Sequence, residues 1–220
     1  MTYPAHRIQV PRSARYFVLG DRGTADEIWF ALHGYGQLAA AFLKWFEPAA
    51  RPGRLIVAPE GLSRAYFDEH HSRRAGASWM TREDRDAEIE DYVRYLDLLA
   101  DELVGDLPPR PRLEVHGFSQ GAATACRWVA YGRHPVSRLA LWGGTVPPDL
   151  ELERLRAHLR DARFVLAIGD RDPFIGQDQV RNEHARLLGV GFSIELRPFA
   201  GGHVVDQQAL ASMAGVRVGA

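Results

Sequence analysis

The chain has 220 residues, of which 46% are hydrophobic and 25% charged, and its 27 Lys+Arg against 28 Asp+Glu leave a formal net charge of -1. That length suits a single domain, over 1–220, with a core of its own, and the balanced charge excludes the electrostatic footprint of a nucleic-acid binder or a polybasic membrane-surface protein. The one cysteine, Cys126, can close no internal disulfide. The first residues lack the apolar segment of a signal peptide, and no run approaches the roughly 18 apolar residues of a membrane span, so a cytoplasmic setting is expected.

In chain order, residues about 7–10 and 14–20 read as two β segments joined at Pro11, forming the outer antiparallel part of a sheet. Glu27 to His33 is nearly all apolar, as a strand covered on both faces must be, and it ends in the glycine loop His33-Gly34-Tyr35-Gly36. A helical stretch at about 38–50 precedes a second buried strand, Arg54 to Pro59. From Glu60 to Arg82 no period holds, which is long for a connection and suggests a loop that shapes a site. The pair His70-His71 with Asp68 and Glu69 lies there, but adjacent imidazoles do not readily face one ion and no spaced third ligand follows, so no metal is expected. Apolar residues recur at helical spacing over about 84–104, and Pro108, Pro109 and Pro111 stop that helix. Strands at 138–142, 163–169 and about 192–198 then alternate with helices at about 150–160, at 177–188 and from about 204. Alternation from residue 27 onward predicts an α/β fold, a mainly parallel sheet with helices on both faces.

The centre of this arrangement is Leu113-Glu-Val-His-Gly-Phe-Ser119-Gln-Gly-Ala-Ala123, an apolar run, a G-x-S-x-G pattern and a helix-forming tail. Gly117 and Gly121 flank Ser119 where side chains would obstruct a sharp strand-to-helix turn, so the Ser119 hydroxyl is expected to stand above the carboxyl end of the sheet. Cys126, seven residues further on the same helix, is expected to be a packing residue.

A serine hydroxyl needs a base within hydrogen-bond reach, and His203, in a Gly-Gly-His loop after the last strand, is the best candidate. The base needs a carboxylate to hold its tautomer. Asp170 and Asp172 compete for that role. Asp172 is preferred because it lies deeper in the loop, with Asp170 bracing the turn. The order Ser119, Asp172, His203 is that of α/β-hydrolases. Two backbone N–H groups should hold the developing oxyanion, those of Gln120 at the helix start and Tyr35 in the loop after the Glu27–His33 strand.

On these residues the sequence resembles an α/β-hydrolase of the phospholipase/carboxylesterase family, which includes acyl-protein thioesterases and small bacterial carboxylesterases. The matching segments are Leu32-His-Gly-Tyr-Gly36, Ala58-Pro59, Ser78-Trp79, Gly117-Phe-Ser-Gln-Gly-Ala122, Gly169-Asp-Arg-Asp-Pro173 and Gly202-His203. The resemblance implies that Asp172, the second aspartate of its motif, is the triad acid and that Tyr35 and Gln120 are the oxyanion donors. The short stretch between Trp142 and Arg163 leaves little room for a large lid, and the 60–82 loop does not match the family's acyl-binding loop, so substrate preference is not carried over.

The expectation is therefore a serine carboxylesterase, with thioester or lysophospholipid cleavage as variants, acting on small or medium acyl esters through an acyl-enzyme on Ser119. No cofactor is implied, and the partner is a small ester. Trp79, Phe118, Trp142 and Phe174 are expected near the site as an apolar wall. An exposed apolar mouth would serve equally as a homodimer contact or a substrate entrance. The rival readings are a hydrolase of another acyl or carbon–carbon bond and a non-catalytic small-molecule-binding homologue.

Overall fold

The computed structural model describes residues 3–67, 75–105 and 110–215. A seven-stranded sheet runs through it in the order β1 (Tyr16–Leu19), β3 (Arg54–Pro59), β2 (Glu27–Leu32), β6 (Arg112–Phe118), β7 (Arg138–Trp142), β8 (Arg163–Gly169), β9 (Ile194–Phe199). All neighbours are parallel except β1, which pairs antiparallel with β3 at the edge, Tyr16 opposite Pro59.

The covering of both faces explains the unbroken apolar strands. Along β2, Ile28, Phe30 and Leu32 point into one core with α2 (Arg85–Val104), α3 (Gln120–Tyr131), α4 (Leu152–His158) and α5 (Gln177–Gly189). Trp29 and Ala31 point into the other, with α1 (Ala39–Leu43), the 3-10 turn Lys44–Ala49 and α6 (Gln207–Met213). The longest helix, α2, buries Tyr92, Val93, Leu96, Leu99, Ala100 and Leu103, a stripe at three- and four-residue spacing, and it ends at Gly105, whose φ of 55 suits a glycine. The last helix starts at Asp206, whose side chain accepts from Ala209 N at 2.7 Å. No described helix is long and apolar enough to cross a membrane.

Two expectations are corrected. Residues 7–10 form no strand: Ile8 and Val10 are 86% and 70% exposed, and the outer edge of β1 is left without a partner among the described residues. The 60–82 stretch is not structureless, because β4 (Ser63–Tyr66) and β5 (Ala75–Ser78) form an antiparallel pair, Ser63 opposite Ser78. The His70-His71 pair lies outside the described residues.

Strand order makes the site. From β2 the chain crosses outward to β3, whereas from β6 it crosses the other way to β7, so the loops leaving the adjacent ends of β2 and β6 diverge. That divergence opens a crevice above the carboxyl ends of the strands.

Candidate active site

Ser119 occupies the turn between β6 and α3 with φ 54 and ψ −115, one of two described non-glycine residues at positive φ. Such a conformation costs about 1–3 kcal/mol and persists only where the surroundings enforce it. Here Ser119 N donates to Trp142 O at 2.9 Å, and three glycines remove the side chains that would collide. A Cβ on Gly117 would lie 2.7 Å from Ala122 Cα, one on Gly121 would lie 2.6 Å from His33 O, and one on Gly144 would lie 3.0 Å from Ser119 O.

His203 Nδ1 lies 2.8 Å from Asp172 Oδ2. The carboxylate only accepts, so Nδ1 carries the hydrogen and Nε2 is left as the acceptor. The other oxygen, Asp172 Oδ1, accepts from Phe174 N at 2.8 Å and Ile175 N at 3.2 Å, which fixes the carboxylate at the end of β8. The His203 ring sits between Phe118 and Phe174, each 4.7 Å from it centroid to centroid. Room for the pair comes from Gly143, at φ 52, where a Cβ would be 2.9 Å from His203 Nδ1. Asp170 is used differently: its Oδ1 accepts from Gly201 N at 2.9 Å and braces the loop that carries His203.

The loop after β2 is held from beneath. Gln37 Oε1 accepts from Gly34 N at 2.7 Å, and Gly36 N donates to Ala77 O at 2.9 Å. His33, fully buried, has both ring nitrogens engaged, Nδ1 donating to Gly34 O at 2.8 Å and Nε2 accepting from Gly61 N at 2.9 Å. Burial pushes its pKa below the ordinary imidazole value, so it is a neutral brace. The Tyr35 N–H between these anchors makes no hydrogen bond among the described residues. Gln120 N, at the first position of α3, has no intrahelical acceptor.

Sequence reasoning missed the use of the Gln120 side chain. Its Oε1 accepts from Trp79 N at 3.1 Å and its Nε2 donates to Met80 O at 2.8 Å and Ser78 Oγ at 3.1 Å, clamping the segment after β5 against the elbow. The signal was present as Ser78-Trp79 beside Gly-Phe-Ser-Gln-Gly, but nothing in the order of residues showed that the two touch.

Ser119, Gln120 and His203 line one cleft of about 610 Å³, whose walls also include Met80, Arg82, Arg127, Pro147, Phe174 and Gln179. Of the four aromatics expected at the wall, only Phe174 is there, 72% exposed. Trp142 is 0% exposed and stacks beside His116, Trp79 is 2% exposed and donates from Nε1 to His33 O at 2.8 Å, and Phe118 lies beneath His203 against Trp45. Their ring area is taken up by the core. Cys126 is fully buried, its thiol pKa raised by that burial. Among the described residues no group of three His, Cys, Asp or Glu side chains could hold a metal ion.

A model of the phospholipase/carboxylesterase family matches residues 17–215. No curated protein matches the chain in sequence. Solved structures of the same fold include acyl-protein thioesterase 2 of Zea mays, at 18% identity and TM-score 0.68 over 92% of this chain and 97% of that one. A phospholipase/carboxylesterase of Dyadobacter fermentans matches at 14% identity and TM-score 0.67, over 94% and 97% of the two chains. The carboxylesterase of Bacillus cereus matches at 15% identity and TM-score 0.65, over 92% of each.

Proposed function

The chain belongs to the phospholipase/carboxylesterase family, and from that premise we propose that it is a serine hydrolase of small or medium acyl esters working through an acyl-enzyme on Ser119. The observation that carries this reading is the 2.8 Å His203–Asp172 pair opening onto the same cleft as Ser119.

In the proposed reaction His203 Nε2 takes the Ser119 proton as Oγ attacks the ester carbonyl, and Asp172 steadies the imidazolium that forms. The carbonyl oxygen becomes an oxyanion between the Tyr35 and Gln120 N–H groups, each worth about 3–4 kcal/mol in the transition state. His203 returns its proton to the leaving alcohol, then activates the water that cleaves the acyl-enzyme. Gln37 and His33 hold the N–H and C=O of Gly34, the residue before Tyr35, so the loop that carries the Tyr35 N–H needs little reorganisation, which supports its assignment. The whole chain is taken as one cytoplasmic domain that requires no cofactor.

The test is stopped-flow hydrolysis of a p-nitrophenyl ester series of increasing acyl length. A burst of one p-nitrophenol per protein molecule with a chain-length optimum is expected. A folded protein that turns over no ester would sink the reading and bring forward a non-catalytic binding protein.

A further inference from the structure

The cleft around Ser119 has a one-sided charge. Arg82 and Arg127 line it, and among the described residues no carboxylate does. Asp172 is shut behind His203, with no side-chain exposure. Arg127 has Asp149 at 3.0 Å, and Arg85, which shares that carboxylate at 2.5 Å, also has Asp86 at 3.7 Å, so Arg127 is balanced and the uncompensated cation of the cleft is Arg82. Arg82 is exposed and makes no ion pair among the described residues.

Both cations are placed with respect to the nucleophile. Met80 O is held by Gln120 Nε2, so Arg82 follows two residues after an anchor on the residue next to Ser119. Arg127 stands two turns further along α3 from Gln120, about 10 Å at 1.5 Å per residue. Phe174, Ile175 and Pro147 give the cleft apolar walls, and such walls concentrate the field of the cations within it. A neutral acyl ester would leave the Arg82 guanidinium facing water alone, whereas a carboxylate or phosphate could take it in a two-pronged, charge-assisted hydrogen bond.

Resting on the ester-hydrolase reading above, we propose that the cleft selects esters bearing an anionic group, carboxylate or phosphate, that reaches Arg82 while the scissile carbonyl sits at Ser119. Arg82 is the specificity-determining residue.

The experiment compares kcat/KM for charged and neutral esters of matched size in two arms, in wild type, Arg82→Gln and Arg82→Lys, at low and high salt. With the charge in the acyl part, the substrates are the mono-p-nitrophenyl ester of glutaric acid and p-nitrophenyl valerate. With the charge in the alcohol part, they are butyryl glycerol phosphate and butyryl glycerol. The charged ester should be favoured by about tenfold or more in one arm, and that arm places the anion. Arg82→Gln should lower the charged-to-neutral ratio about tenfold, Arg82→Lys should recover part of it, and added salt should shrink it. No charge preference in either arm, or an equal loss on both esters of a pair in Arg82→Gln, would overturn the proposal. If no ester is turned over at all, the hydrolase reading fails separately. Calorimetric titration of glutarate then decides the anion site: binding weakened in Arg82→Gln sustains it, and no binding to the wild type removes it.

Discussion

The Cα of Gly121, in the first turn of α3, lies against the carbonyl oxygen of Leu32 at the end of β2, so close that no side chain fits between them. The contact brings the start of the elbow helix, with its Gln120 N–H, onto the strand whose following loop carries Tyr35. Gly121→Ala would put a Cβ 2.6 Å from His33 O and nearer still to Leu32 O, and neither backbone group is a flexible chain end that can swing away. We expect a loss of about 3 kcal/mol of stability, seen as a lower urea midpoint at unchanged slope, together with reduced activity in the folded fraction. A variant as stable as the parent would show that α3 can move off β2.

The two aspartates at the end of β8 should separate cleanly. Asp172→Asn leaves the backbone donors of Phe174 and Ile175 with an acceptor but presents the wrong partner to His203 Nδ1, and kcat should fall by on the order of 10⁴. Asp170→Asn still offers an oxygen to Gly201 N, so kcat should stay within about twofold and stability within about 1 kcal/mol. Steady-state kinetics of both variants checks this, and the opposite ranking would move the acid to Asp170.

Phe174 and Trp142 were alike in sequence as aromatics at strand ends, yet they should fail in different ways. Phe174→Ala, at the exposed wall, should raise KM several-fold and leave stability within about 0.5 kcal/mol. Trp142→Ala, in the core beside His116, should cost about 3–5 kcal/mol. Paired kinetics and urea unfolding distinguish the two, and a Trp142 variant of native stability would contradict the burial.

Stability should fall on mild acidification. Burial pushes the pKa of His33 and of His116 down, so both are neutral in the folded protein. His116 stacks on Trp29 at 4.4 Å and is faced by Glu114 at 3.6 Å, by Arg138 and by Arg54, and its Nε2 has no hydrogen-bond partner among the described residues. In the unfolded chain the same imidazoles take up protons near pH 6.5, so below that pH the unfolded state binds more protons and stability declines until the folded forms also titrate. The slope approaches about 1.4 kcal/mol per pH unit for each histidine. His116→Phe should remove one proton's share of it. Urea midpoints from roughly pH 5 to 8 measure this, and a profile flat in the parent or unchanged in the variant would contradict the neutral burial.

The parts of this structure legible in the sequence are those with a strict local cause. An all-apolar β2 can only be covered on both faces, and Gly117 and Gly121 around Ser119 mark a turn that tolerates no side chains. What was not legible depended on partners distant in the chain. Residues 7–10 carry alternating apolar side chains, but a strand also needs a face to bury them, and Ile8 and Val10 stand exposed. The β4–β5 pair is built from Ser63-Arg-Ala-Tyr66 and Ala75-Gly-Ala-Ser78, with little apolar alternation to reveal it, and Gly76 is required there because the Gly36 carbonyl leaves no room for a Cβ. The position of Trp142 at a strand end was readable, whereas Trp79 was read as part of a loop, and the turning of both rings into the core depended on what packs behind them.

The central claim is that Ser119 is the nucleophile, and the most direct measurement is intact mass and peptide mapping after exposure to a fluorophosphonate. A single adduct on Ser119, formed quickly in the parent, slowly in Asp172→Asn and not at all in Ser119→Ala, is the predicted result. An adduct on another residue, or none on folded protein, would contradict the account.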